Sequence, residues 1–261
     1  HLTPNELINQ LLKSQADLLW IGGIGTYVKA AHENNAEVGD KANDVLRING
    51  GELKMKVVGE GGNLGMTQLG RIEYARSGGR LNTDFIDNAA GVDCSDHEVN
   101  IKILLNDIIL SGELTEKQRN NLLVKMTDNV STLVLRNNYR QTQAISVSFA
   151  DNIQRIEEYR RLINSFESAG KLNRALEYIA TDEELGELKA SGKGLTRPEL
   201  SVLISYVKGD LKEALNQKAF SDNPVLAPQV EGVFPDAILK DYKKAVYQHR
   251  LRHEIVATQV A

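Results

Sequence analysis

Lys54-Met-Lys-Val-Val-Gly-Glu-Gly-Gly-Asn63 is the stretch on which the reading of this chain turns. A short run rich in apolar residues, Lys54 to Val58, predicts a strand that passes directly into the glycine turn Gly59-Glu-Gly-Gly-Asn63. The same layout stands upstream. Asp17-Leu-Leu-Trp-Ile21 predicts a buried strand, and Gly22-Gly-Ile-Gly-Thr26 follows it. Helix signals surround both strands. Thr3-Pro4-Asn5-Glu6 is a helix start with Leu7, Ile8, Leu11 and Leu12 on its apolar face. Thr67 to Ser77 predicts a helix stopped by Gly78-Gly79. Leu81 to Ile86 predicts a third strand, and Ser95 to Leu110 a helix capped by Ser95, with Glu98 closing a capping box. Strands alternating with helices imply parallel pairing in an open α/β sheet.

Residues 111–261 read differently. Fourteen glycines fall in 1–110 and seven in 111–261. Lys and Arg against Asp and Glu number 10 to 15 in the first part and 21 to 20 in the second. Capping boxes begin at Thr115-x-x-Gln118 and Thr181-x-x-Glu184, and Thr196-Arg197-Pro198-Glu199 is a further helix start. Helical spacing runs through Leu122 to Val134 and from Ile145 to Phe166, and a last helix is expected from Pro235 onward. The expected organisation is therefore an α/β domain, 1–110, and an all-α helical domain, 111–261. The boundary is placed at the polar stop Ser111-Gly112.

Composition narrows the function classes. The 261 residues are 41% hydrophobic and 25% charged, with a net charge of −4. That balance is typical of a globular chain and carries no basic footprint for nucleic acid. No apolar run approaches the length of a membrane span, and the N-terminus has no export design. The single cysteine, Cys94, excludes a disulfide framework within the chain and fits a cytoplasmic setting. The end at Thr258-Gln-Val-Ala261 carries no helix stop, so a cut fragment is expected.

The two glycine loops are the first candidate site, because ligands in open α/β sheets bind at the carboxyl ends of strands. Turn geometry alone is the competing explanation. Neither loop is the G-x-G-x-x-G fingerprint: Leu64 and Val28 stand where the last glycine is required. No P-loop pattern exists either. Asp93-Cys-Ser-Asp-His-Glu98 is the densest polar cluster. Ile101 stands where H-E-x-x-H needs its second histidine, and Cys94 has no C-x-x-C partner, so no metal site is expected. Cys94 is read as a small buried residue. Ser95 is read as a helix cap whose geometry also suits a carboxylate. His249 and His253 are expected on one helix face beside Arg250 and Arg252. Tyr139, Arg140, Arg155, Arg160 and Arg161 read as ion-paired helix surface.

From Val57 to Ser95 the chain resembles the glutamate dehydrogenase family, whose blocks read E-G-A-N-x-x-x-T and P-D-x-x-x-N-A-G-G-V-x-x-S-x-x-E. Glu60, Gly61, Asn63 and Thr67 match the first block; Asp84, Asn88, Ala89, Gly91, Val92, Ser95 and Glu98 match the second. Gly62, Thr83 and Ala90 depart from it by small or turn-compatible changes. Asp17 to Lys29, Gly39 to Asp44, Leu195 to Leu200 and His249 to Ile255 resemble the large NAD-specific bacterial class, so the likeness spans essentially the whole chain.

The resemblance implies the second half of a Rossmann-like NAD domain followed by helices, within an oxidoreductase that converts L-glutamate to 2-oxoglutarate and ammonium. It implies NAD as cofactor, with Asn63, Asn88, Ala89 and Gly91 near it and Gly23 and Gly25 lining its cleft. It implies Ser95 on the glutamate side-chain carboxylate. The catalytic lysine and acid are expected upstream, so the chain is expected to be inactive alone and to work with the other domains of its polypeptide, in a homo-oligomer. The rival expectation is a non-catalytic regulatory or oligomerisation module with a degenerate nucleotide fold.

Overall fold

The computed structural model describes residues 1–261. Thr3 caps helix α1 (Pro4–Leu12) and closes a capping box with Glu6. Strands β1 (Leu18–Ile21) and β2 (Val28–Lys29), helix α2 (Asn35–Val38), and strands β3 (Ile48–Asn49) and β4 (Val57–Glu60) follow. Thr67 caps α3 (Gln68–Arg76). The chain then continues through α4 (Asp84–Asp87), α5 (Ala89–Leu110), α6 (Glu116–Lys125), α7 (Thr127–Ala150) and α8 (Ile156–Ser168). Helices α9 (Asp182–Ala190), α10 (Arg197–Leu215), α11 (Lys218–Ser221), α12 (Asp236–Val246) and α13 (Arg252–Val260) complete it. The chain is thus mostly helical with a small amount of parallel sheet. β1 pairs with β4, Leu18 opposite Val57 and Ile21 opposite Glu60. β2 pairs with β3, Val28 opposite Ile48.

Several expectations change. Residues 81–86 form no strand; the pairing there is one bridge between Val57 and Arg80, and α4 starts at Asp84. The strand expected at Lys54 to Val58 sits later, at Val57–Glu60. Helix α5 begins at Ala89, six residues ahead of Ser95, because the short α4 hands the chain over already turned. The helical run from Ile145 to Phe166 is broken between α7 and α8. The C-terminal helix is two helices, with Tyr247 to Leu251 between them.

Two compact units emerge, one of residues 1–89 and 141–206, the other of 90–140 and 207–261. The turn at Ser111-Gly112 lies inside the second unit rather than at a boundary. Long-range bonds explain why 141–206 joins the N-terminal part. Arg76 donates to the Gly194 carbonyl at 2.6 Å and pairs with the buried Glu199 at 3.2 Å. Arg197 grips Asn82 through Nε and Nη2 at 3.0 and 2.8 Å. The first unit holds two apolar clusters, one around Val28, Ile48, Val58 and Tyr74 and one around Ile163, Leu195 and Leu200. The second unit is built on Leu104, Leu105, Met126, Phe234, Ile238 and Val256. No helix is long and apolar enough to cross a membrane.

Candidate functional site

Parallel pairing of β1 with β4 brings both glycine loops to one end of the strands. The Gly62 N–H donates to the Ile21 carbonyl at 3.0 Å. A Cβ on Gly62 would lie 2.6 Å from the Gly23 carbonyl oxygen, so the loops touch along their backbones. Most loop glycines serve this packing. A Cβ on Gly59 or Gly61 would come within 2.7 or 2.4 Å of the Trp20 indole, and one on Gly65 would press on Ile21 and Glu60. Gly25 adopts φ +136°, and a Cβ there would meet Asn43 and Tyr27 at 2.8 Å. Gly23 differs: nothing lies within 4 Å of its Cβ position, and Ile24 beside it is exposed.

Buried charges hold the loops in shape. Thr26 donates its N–H to Asp40 at 2.8 Å and its hydroxyl to the Leu64 carbonyl at 2.7 Å. Asp40 lies below the usual carboxylate range, chiefly because of that Thr26 N–H. Arg47, buried, donates to the Thr26 carbonyl at 2.8 Å and to Asn35 and Asp44 at 2.9 and 2.6 Å. Under the second loop, Arg71 bonds both oxygens of the fully buried Glu60, at 2.7 and 2.9 Å, and reaches Asp84 at 3.1 Å. Glu60 also accepts the Met66 N–H, and Asp84 accepts the N–H of Leu64, a non-glycine residue held at φ 58°. Burial pushes the Glu60 carboxyl up, against the pull of Arg71. Burial also works against the Arg71 charge, but Glu60, Asp84 and Asp87 outweigh it and raise its pKa. Asp87 accepts the Glu60 N–H at 3.1 Å and an Asn82 amide N–H at 2.9 Å.

Asn63 and Asn88 meet at the open end of this scaffold. The Asn88 Nδ2 donates to the Asn63 Oδ1 at 2.7 Å. Each amide spends one polar atom, leaving Asn63 Nδ2 as donor and Asn88 Oδ1 as acceptor for another partner. Ala89, half-buried, is the first residue of α5. Gly91 is exposed in the first turn of that helix.

Ser95 belongs to the second unit and is not a helix cap. It sits in the second turn of α5, exposed, with its hydroxyl donating to the Gly91 carbonyl at 3.2 Å. Glu98 accordingly closes no capping box and pairs with Lys102 instead. Cys94 is exposed rather than buried. Cys94 and Ser95 line a cavity of about 590 Å³. His249 and His253 do not share a helix face, because His249 lies in the connection before α13. His249 is buried; its Nδ1 accepts the Leu251 N–H at 3.0 Å, so its Nε2–H donates to the Asn100 carbonyl at 3.0 Å. His253 contacts the Ser221 hydroxyl. Arg155 and Arg160 form the expected surface pairs with Glu158 and Glu157.

Arg47, Arg71 and Arg197 escaped the sequence reading. Their partners lie up to 115 residues away, and no spacing rule marks a lone arginine whose carboxylate or amide arrives by folding.

Residues 1–148 match the family model for the bacterial NAD-glutamate dehydrogenase catalytic domain. Residues 192–261 match that for the glutamate dehydrogenase C-terminal region. The chain is 60% identical over 260 residues to the NAD-specific glutamate dehydrogenase of Pseudomonas aeruginosa, covering all of this chain. The corresponding protein of Halomonas elongata is 58% identical over 260 residues, and that of Mycobacterium tuberculosis 42% over 259. The chain spans about 16% of the length of each of these relatives.

Proposed function

We propose that this chain, which belongs to the bacterial NAD-glutamate dehydrogenase family, supplies part of the cofactor and substrate sites of an enzyme that oxidatively deaminates L-glutamate to 2-oxoglutarate and ammonium. The observation that carries the reading is the Asn63–Asn88 pair beside the touching glycine loops. Its free donor and free acceptor lie on adjacent amides, the complement of a carboxamide such as that of nicotinamide. Gly23 offers its backbone to a ligand without a side chain in the way, and Gly25 holds the turn that presents it. These features fit NAD, which when bound accepts the hydride from the substrate α-carbon.

In this reading Asn63 and Asn88 orient the nicotinamide end, with Ala89 and Gly91 keeping the start of α5 free of bulk. The Glu60–Arg71–Asp84 cluster holds the second loop in the left-handed turn at Leu64. Ser95 bonds the side-chain carboxylate of glutamate. The lysine and acid that the chemistry requires come from another part of the polypeptide, so this segment does not turn over alone. The β1–β4 pair is read as the second half of a Rossmann-like sheet, and the helices as supporting a homo-oligomer in the cytoplasm.

Glutamate-dependent NADH formation by the complete polypeptide, alongside an Asn88→Ala variant, tests this. A variant that keeps its melting temperature but needs more NAD supports the assignment. A parent that makes no NADH from glutamate, or a variant with unchanged NAD dependence, overturns it.

A further inference from the structure

The second unit holds a cavity of its own. It is walled by α5, α6 and the start of α7, and closes below on Ile101, Leu105 and Met126, each at most 4% exposed. Val130 continues the apolar wall. Three charged groups mark the lining, the cations Lys102 on α5 and Arg119 on α6 and the carboxylate Glu98 on α5, which leaves a net positive charge. Lys102 pairs only with the exposed Glu98, at 3.1 Å, a screened bond that yields readily to competition. Arg119 directs Nε and Nη2 to the neighbouring Asn120 amide oxygen and has no carboxylate partner.

A volume of about 590 Å³ is that of a small-molecule site, and an apolar floor with a few polar groups is the usual composition of one. We propose that this cavity binds a small amphipathic carboxylate: an apolar body the size of a medium-chain acyl group lies over Ile101, Leu105 and Met126, and its carboxylate is held by Arg119 and Lys102. Free glutamate is the wrong occupant. Its ammonium and two carboxylates would leave the floor without hydrogen-bond partners for one end of the molecule, and burying an unpaired charge is costly. Ser95 lies at its edge, so the occupant and whatever binds Ser95 compete for one hydroxyl. The assignment itself does not rest on the dehydrogenase reading.

Cys94 gives the site its own reporter, because it lines the cavity, is exposed and is the chain's single cysteine. The experiment titrates the full chain with decanoate and with decanol by calorimetry, and follows alkylation of Cys94 by iodoacetamide in each. Decanoate is expected to bind saturably, one per chain, and to slow alkylation about fivefold or more, with decanol about tenfold weaker. Arg119→Gln, at a half-exposed position, should remove the advantage of decanoate over decanol, and Val130→Phe should abolish protection by both. If Val130→Phe does not fold, Arg119→Gln decides. Absence of saturable binding, binding without protection of Cys94, or equal affinity for decanoate and decanol overturns the proposal. Protection of Cys94 by glutamate with none by decanoate does so too, by making the cavity part of a glutamate site. Activity of the complete enzyme enters none of these readouts.

Discussion

Arg71 holds both carboxylate oxygens of Glu60, at 2.7 and 2.9 Å, with both side chains buried. Removing one member strands the other. Arg71→Leu leaves Glu60 and Asp84 as buried carboxylates without their cation. It should cost about 3–5 kcal/mol of stability, read as a lower urea midpoint. A midpoint within error of the parent would mean that water reaches Glu60 in solution.

The glycines of the two loops should separate by experiment. Gly62→Ala drives a methyl into the Gly23 carbonyl, a backbone atom that moves only if the first loop moves. A loss of about 1–3 kcal/mol is expected, as for overpacking. Gly23→Ala meets open space and should leave thermal unfolding unchanged while weakening NAD binding. Equal destabilisation by the two would remove the distinction between a packing and a ligand-facing glycine.

Asn63→Ala and Asn88→Ala should each weaken NAD binding about fivefold, the worth of a neutral hydrogen bond. Because each amide orients the other across a 2.7 Å bond, the double variant should lose less than the sum of the two. Strict additivity in a double-mutant cycle would mean that the two amides act independently, and unchanged NAD binding in both single variants would place the pair outside the nucleotide site.

Ser95→Ala tests the place of Ser95 inside α5 rather than at its start. A true N-cap would lose ~1 kcal/mol on this change. A serine in the second turn, bonded back to Gly91, should change stability by less than about 0.5 kcal/mol. On the proposed role of Ser95 at the glutamate side-chain carboxylate, the KM for glutamate of the complete polypeptide should rise about tenfold or more, the worth of a hydrogen bond to a charged group. A large fall in melting temperature with an unchanged KM would reverse both statements.

His249 sets an acid sensitivity. Burial lowers its pKa below the ordinary 6.5, outweighing the Asn100 carbonyl and Asp107, with Arg250 adding to the lowering. The unfolded chain therefore binds more protons between the two values. Stability contributed by neutral His249 is complete above 6.5 and is lost as pH falls toward the folded pKa, because a proton on Nδ1 breaks its bond from the Leu251 N–H. Urea midpoints at about pH 5.5 and 7.5 should differ in the parent, and His249→Gln should shrink that difference. An identical difference in the variant would assign the effect to another group.

Legibility followed range. The capping boxes at Thr3, Thr115 and Thr181 were readable because each is closed within four residues of chain. So was the succession of strand, glycine turn and helix, since its periods are local, and long motifs carried the family. Ser95 looked like a cap because its own neighbourhood satisfies the capping pattern; α4, packed under the second loop, started the helix earlier. The glycines announced close approach but not to what, and folding assigned most of them to Trp20, Glu60 and each other's backbones. Residues 141–206 joined the first unit through Arg76 and Arg197, whose partners lie more than a hundred positions away. Local hydrogen bonds are written in spacing, whereas a buried arginine's partner exists only once packing has excluded water from the pair.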